Sequence, residues 1–175
     1  MSDRPRSVLQ YFAWPSYFVA LLLVVLPLAD LVTNVLPVRV SAMEWRYGTL
    51  GLLSGFTLTP LLGIALAVVL AGLLDHRLLQ RIIGFLNLLG AVLLVILIVL
   101  FALDWLQLRA SVEPDPQHAM DIGALKALVK HLLVAIALGW LGIAGLRATR
   151  GGAASRRRTA APLIREPEGG GPAKQ

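Results

Sequence analysis

Four long apolar runs, separated by short polar breaks, set the pattern of this chain: 16–36, 49–74, 82–103 and 122–147. A helix needs about 20 mostly apolar residues to cross the hydrocarbon of a bilayer. In that solvent a segment must satisfy its own backbone polar groups, which a helix does internally. The runs therefore predict an all-α integral membrane four-helix bundle over 1–147, with short loops and a basic, disordered C-terminal tail over 148–175.

The polar breaks agree with this division. A short lead carries Arg4 and Arg6, and Tyr11, Phe12 and Trp14 follow as an interfacial aromatic belt. Pro27 lies inside the first run and is expected to kink it. Residues 37–48 form the first connection. Ser41 and Glu44 have capping-box spacing there, so a helix can begin before the second run. Trp45 and Tyr47 are expected at the outer interface. Asp75, His76, Arg77 and Arg81 make a tight polar turn between runs two and three. Trp105 marks the outer end of run three, and 104–120 read as an acidic, proline-containing loop. Asp121 is placed to cap the fourth helix. Val40-Ser41-Ala42 resembles a signal-peptidase site, but the apolar run before it is too long for a signal peptide and carries Pro27 and Asp30.

Composition sharpens the picture. Of 175 residues, 57% are hydrophobic, leaving too little polar chain to cover four apolar helices in water. Cysteine is absent, which removes thiol catalysis, disulfides and Cys-ligated metal centres. The net charge of +6 does not suggest nucleic acid, because the basic residues flank the apolar runs. With the N-terminus inside, eleven Lys and Arg fall on the inner side and five on the outer. That bias predicts both termini in the cytoplasm, and the tail and Arg147–Arg150 decide it. Thirteen Arg against three Lys suits a GC-rich bacterial genome, hence a bacterial cytoplasmic (inner) membrane.

Inside the runs, small residues recur every four positions at Gly51, Gly55, Thr59, Gly63 and Ala67, continuing to Ala71. Such a stripe lets backbones approach closely in lipid, within the bundle or between copies. Pro60 interrupts it and frees the carbonyl of Phe56, with Thr57 or Thr59 near enough to compensate locally. Ala135, Gly139, Gly142 and Gly145 form a looser set in run four.

The intramembrane polar residues are few. Asp30 sits roughly 9 Å below the outer end of the first run, where a carboxylate costs up to about 2.5–3.5 kcal/mol. With Thr33 and Asn34 it forms one polar face, and Arg46, Lys126, Lys130 and His131 are its candidate partners near the same membrane surface. The expected cluster is Asp30, Asn34, Arg46, Lys126, Lys130 and His131, read first as a fastening between helices. Asn87 is expected to make an interhelical hydrogen bond. Asp115, His118 and Asp121 have a spacing that a metal accepts, but a His among loop carboxylates is common, and no metal or cofactor is expected. Arg156, Arg157 and Arg158, with Arg147 and Arg150, make a basic patch suited to anionic lipid.

No Gly-x-Ser-x-Gly, His-Glu-x-x-His or P-loop occurs, and no catalytic residue is assigned. The expected function is that of a non-catalytic multi-pass protein, an accessory, assembly or scaffold subunit of a membrane complex or a homo-oligomer. Its partners would be anionic lipids and other membrane subunits or itself. The alternative is a small proton- or ion-coupled transporter or channel acting as an oligomer through Asp30.

Overall fold

The computed structural model describes residues 4–159, and the side chains of residues 11–149 within them. The described chain is all-helical: α1 (Arg4–Val35), α2 (Met43–Phe56), α3 (Leu58–Leu73), α4 (Arg77–Ser111) and α5 (Pro114–Thr159). Three of these, α1, α4 and α5, are long and apolar enough to cross a membrane, and the bent pair α2–α3 makes up to four.

The second apolar run is thus two helices, bent by 47°. Pro60 explains the break. It has no N–H to offer the Phe56 carbonyl, and its ring crowds that oxygen. The chain resolves the conflict by starting a new helix at Leu58, which puts Pro60 in a first turn where no N–H is required. Thr57 lies at the junction, and its hydroxyl donates to the Ser54 carbonyl at 3.3 Å rather than to that of Phe56. Leu61 N–H resumes the ladder on the Thr57 carbonyl at 3.2 Å.

Other boundaries differ from the sequence reading for equally local reasons. Helix α2 does begin early, but Ala42 is its N-cap and no side chain caps it, so the Ser41–Glu44 box is not made. Helix α4 runs through Asp104 and Trp105 to Ser111, because no Gly or Pro interrupts it there. Helix α5 begins at Pro114, so Asp121 lies inside the helix and not at its cap. Pro114 and Pro116 fall in the first turn, where their missing donors cost nothing, and Asp115 there complements the helix dipole. At its other end α5 continues past Arg147 to Thr159, so the first part of the expected disordered tail is helical. The rest of that tail, 160–175, lies outside the described residues.

Between α3 and α4, Asp75 takes the left-handed conformation (φ 53°). His76 N–H bonds the Ala71 carbonyl at 2.9 Å, which closes the helix end and reverses the chain. The helices then pack in two antiparallel pairs. Helix α4 lies along α5, and α1 lies along α3, while α1 makes no close backbone approach to α4 or α5.

Glycines set both pairings. A Cβ on Gly142 would stand 2.8 Å from Leu88 Cγ and 2.9 Å from the Gly84 carbonyl oxygen. A Cβ on Gly63 would stand 2.7 Å from the Ala20 carbonyl oxygen. Gly63 and Ala71 are buried, whereas Gly51 and Gly55, beyond the bend, would meet nothing within 4 Å. The break at Thr57 therefore splits the small-residue stripe: its lower half receives α1 and its upper half faces open space. In the looser set, Gly142 and Gly145 approach α4, and Gly139 meets nothing.

Candidate functional site

At the end of the bundle where α1 finishes and α2 begins, polar side chains form a layer that ties four helices together. Arg46, in the first turn of α2, reaches Asp104 on α4 through both arms of its guanidinium. Nε donates to Oδ2 at 3.0 Å and Nη2 to Oδ1 at 2.6 Å. Its Nη1 also donates to the Val40 carbonyl at 3.0 Å. Asp104 is 5% exposed, so this is a buried carboxylate held by a two-point charged contact. One helical step on, Trp105 Nε1 donates to Asp121 Oδ1 at 3.0 Å, and Arg109 Nε lies 3.2 Å from Asp121 Oδ2. Trp45 Nε1 donates to the Val35 carbonyl at 3.0 Å, which fixes the end of α1 at the same level.

Below this layer, Tyr47 stacks on Phe101 at a centroid distance of 5.0 Å, and Phe101 meets His131 edge-on at 6.2 Å. His131 is 2% exposed, and neither ring nitrogen has a hydrogen-bond partner. Asn87, deeper in α4, is also buried, and its Nδ2 donates to no acceptor, so the expected interhelical bond is not made by that group.

The six residues expected as one cluster are placed apart. Arg46 pairs with Asp104 and not with Asp30. Asn34 donates to the backbone carbonyl of Asp30 at 2.7 Å, as does Thr33 at 2.8 Å, so this face is satisfied along its own helix. Asp30 and Asn34 are exposed, and the Asp30 carboxylate has no cation within 4.0 Å among the described residues. Lys126 and Lys130 are exposed and likewise have no carboxylate within that distance. His131 packs inward behind them. Asp104 escaped the sequence reading because it was assigned to a loop. The available signal was an acid directly following the most apolar run with no breaker after it.

Between α2 and α5 runs a groove of about 510 Å³. Gly51 and Gly55 form one wall, Gly123, Lys126 and Lys130 the other, and Tyr47 and Phe101 lie at its outer end. Past the bend it continues between α3 and α5 as a mainly apolar slot lined by Leu58, Leu61, Leu133 and Ala137. Chemically, the carboxylates of Asp104 and Asp121 are already engaged. Among the described residues, the Asp30 carboxylate on α1 and the Lys126 and Lys130 ammonium groups in the groove are in no ion pair. Among the described residues no three His, Asp or Glu side chains come together as a metal site, and Asp115, His118 and Asp121 do not form one. Arg156, Arg157 and Arg158 lie on the last turns of α5, beyond the described side chains.

No known protein family, curated protein or solved structure matches this chain.

Proposed function

We propose that the chain is a four-span integral membrane protein that acts by association and not by catalysis. In this reading α1, the bent α2–α3 pair, α4 and α5 are the spans, and both ends are cytoplasmic. The protein is an accessory, assembly or scaffold subunit of a membrane complex, or a homo-oligomer, in a bacterial cytoplasmic membrane. Anionic lipid meets the basic residues at the inner ends.

One observation carries the reading: the long helices turn broad apolar faces outward. Long exposed faces of α1, α4 and α5 are leucine, valine, isoleucine and phenylalanine, and only 6% of the most apolar stretch of α1 is buried. The described outer-end charges that are paired, Arg46 with Asp104 and Arg109 with Asp121, join one helix to another. From Arg81 to Asp104, α4 rises roughly 35 Å, enough for a hydrocarbon core of about 30 Å.

The test uses the absence of cysteine. Single cysteines at Ser111 and Ser155 are probed in intact cells with a membrane-impermeant maleimide, alongside an alkaline carbonate wash of the membranes. Retention through the wash, labelling at position 111 and protection at 155 are expected. Release by carbonate would overturn the reading, and the reverse labelling would overturn its orientation. Copurification of partner subunits, or of tagged second copies, in mild detergent tests the association itself.

A second reading, a proton- or ion-coupled transporter acting as an oligomer, is favoured by the exposed carboxylate of Asp30, which has no cation within 4.0 Å among the described residues. It requires flux in proteoliposomes. Unchanged flux in Asp30→Asn would remove that residue from any such mechanism.

A further inference from the structure

We propose that the groove between α2 and α5 receives α1 of a second copy, whose Asp30 carboxylate enters between Lys126 and Lys130. This rests on the membrane reading above and names the surface through which the protein associates.

Depth is the first argument. The outer polar layer supplies a common level. Trp45 binds the Val35 carbonyl, Arg46 binds Asp104, and the adjacent Trp105 binds Asp121. Measured from that layer at 1.5 Å per residue, Asp30 lies roughly 8 Å below Val35. Lys126 lies roughly 8 Å below Asp121, and Lys130 roughly 14 Å below it. Copies sharing a bilayer share its normal, so Asp30 of one copy meets the lysines of another at the height they already occupy.

Charge is the second argument. All three groups face outward without a counter-charge among the described residues. In hydrocarbon an unpaired charge of either sign is costly, and membrane helices place such groups against an opposite charge. A lipid phosphate would neutralise the lysines and leave Asp30 unpaired. A second copy neutralises both sides with one contact.

Shape is the third. Helix α1 is the most exposed span and packs on one side only, along α3 and against α2. Its free face includes Leu21, Val25, Leu26 and Val32. The groove offers the complementary surface: Gly51, Gly55 and Gly123 would accept a neighbouring backbone with nothing within 4 Å of their Cβ positions. Leu58, Leu61 and Leu133 line its apolar continuation. The two surfaces are different, so the contact closes reciprocally in a pair or head-to-tail in a ring.

The full-length chain tests this directly. Two differently tagged copies are coexpressed, one carrying Leu26→Cys and the other Leu133→Cys. These positions lie about one turn deeper than Asp30 and Lys130, so the charges stay intact. Oxidation in native membranes should give a disulfide-linked species bearing both tags, and Val92→Cys on α4 in place of Leu133→Cys should not. Asp30→Lys in the α1 donor should lower the crosslinked yield roughly tenfold. Adding Lys126→Asp and Lys130→Asp in the groove copy should restore it to at least about half. That restoration also shows that the reversed variants fold. No crosslink in carbonate-resistant membranes would overturn the inference while leaving the membrane reading intact. A crosslink indifferent to both charge reversals, or an anionic lipid retained in the groove in place of a second chain, would also overturn it. Release of the chain by carbonate would overturn both.

Discussion

Removing either member of the Arg46–Asp104 pair should destabilise the protein, and by unequal amounts. Arg46→Leu strands a carboxylate that is 5% exposed and has lost both charged donors. Leaving one member of a buried ion pair unpaired costs about 3–5 kcal/mol. Asp104→Leu strands a guanidinium whose side chain is 36% exposed and keeps its bond to the Val40 carbonyl. That cation can reach outward to water, so the loss should be only about 1–2 kcal/mol. The double variant removes the polar problem altogether. Apolar replacement of a buried pair is often neutral, and here it should cost less than about 1 kcal/mol. The cycle therefore predicts a coupling of at least about 3 kcal/mol, well beyond the roughly 0.5 kcal/mol scatter of independent sites. Purified protein in mixed micelles, unfolded with increasing SDS, gives the four free energies. Trp45 and Trp105, which flank the pair, supply the fluorescence. Additive losses would refute the buried-pair argument. A larger loss for Asp104→Leu than for Arg46→Leu would refute the burial asymmetry on which it stands.

Four further outcomes follow from packing and backbone. Gly142→Ala should lower the midpoint of thermal unfolding in detergent, at about 1–3 kcal/mol, because the new methyl meets the Gly84 carbonyl at 2.9 Å. Gly139→Ala, with nothing within 4 Å, should be neutral or stabilising by up to about 1 kcal/mol in the same assay. Gly63→Ala should loosen α1 from α3, since its methyl would stand 2.7 Å from the Ala20 carbonyl oxygen. Increased spin-label mobility on α1 would show it, and an unchanged spectrum would count against that close approach. Pro60→Ala restores an N–H that can donate to the Phe56 carbonyl, so the 47° bend should relax. Distances between spin labels on α2 and α3, measured by pulsed electron resonance, should lengthen, and no change would assign the bend to packing.

Helix content and approximate span positions were legible because apolar run length is a signal each segment carries alone. What escaped depended on competition between neighbours. The bend at Thr57 depends on the missing donor of Pro60 weighed against the option of restarting a helix two residues after Phe56. The early start of α5 required seeing that Pro114 and Pro116 are harmless in a first turn and forbidding only later. That one misplacement also hid the polar layer. A loop over 104–120 takes Asp104 out of the interior and leaves Asp30 as the apparent partner of Arg46, whereas α4 carries Asp104 inward to meet it. Partner choice among charges at one depth is a question of azimuth, and azimuth is set by helix packing that no local pattern reports.

The division of charges in the outer half of the molecule follows from that packing. Arg46 and Asp104 project between helices, where the guanidinium fork can meet a carboxylate at two points in a fixed geometry. Lys126, Lys130 and Asp30 project outward, with no ion-pair partner within 4.0 Å among the described residues. Arginine, with its planar fork, suits the internal two-point contact, and lysine, a single flexible cation on a long stem, suits an exposed position. The bend at Thr57 links the two roles. It lets the lower part of the second apolar run hold α1 at Gly63 while the upper part leaves Gly51 and Gly55 open. In a straight helix one stripe of small residues would present one face to one neighbour. Broken at Thr57, the stripe presents two: Gly63 and Ala71 are committed within the chain, and Gly51 and Gly55 stand open beside Lys126 and Lys130.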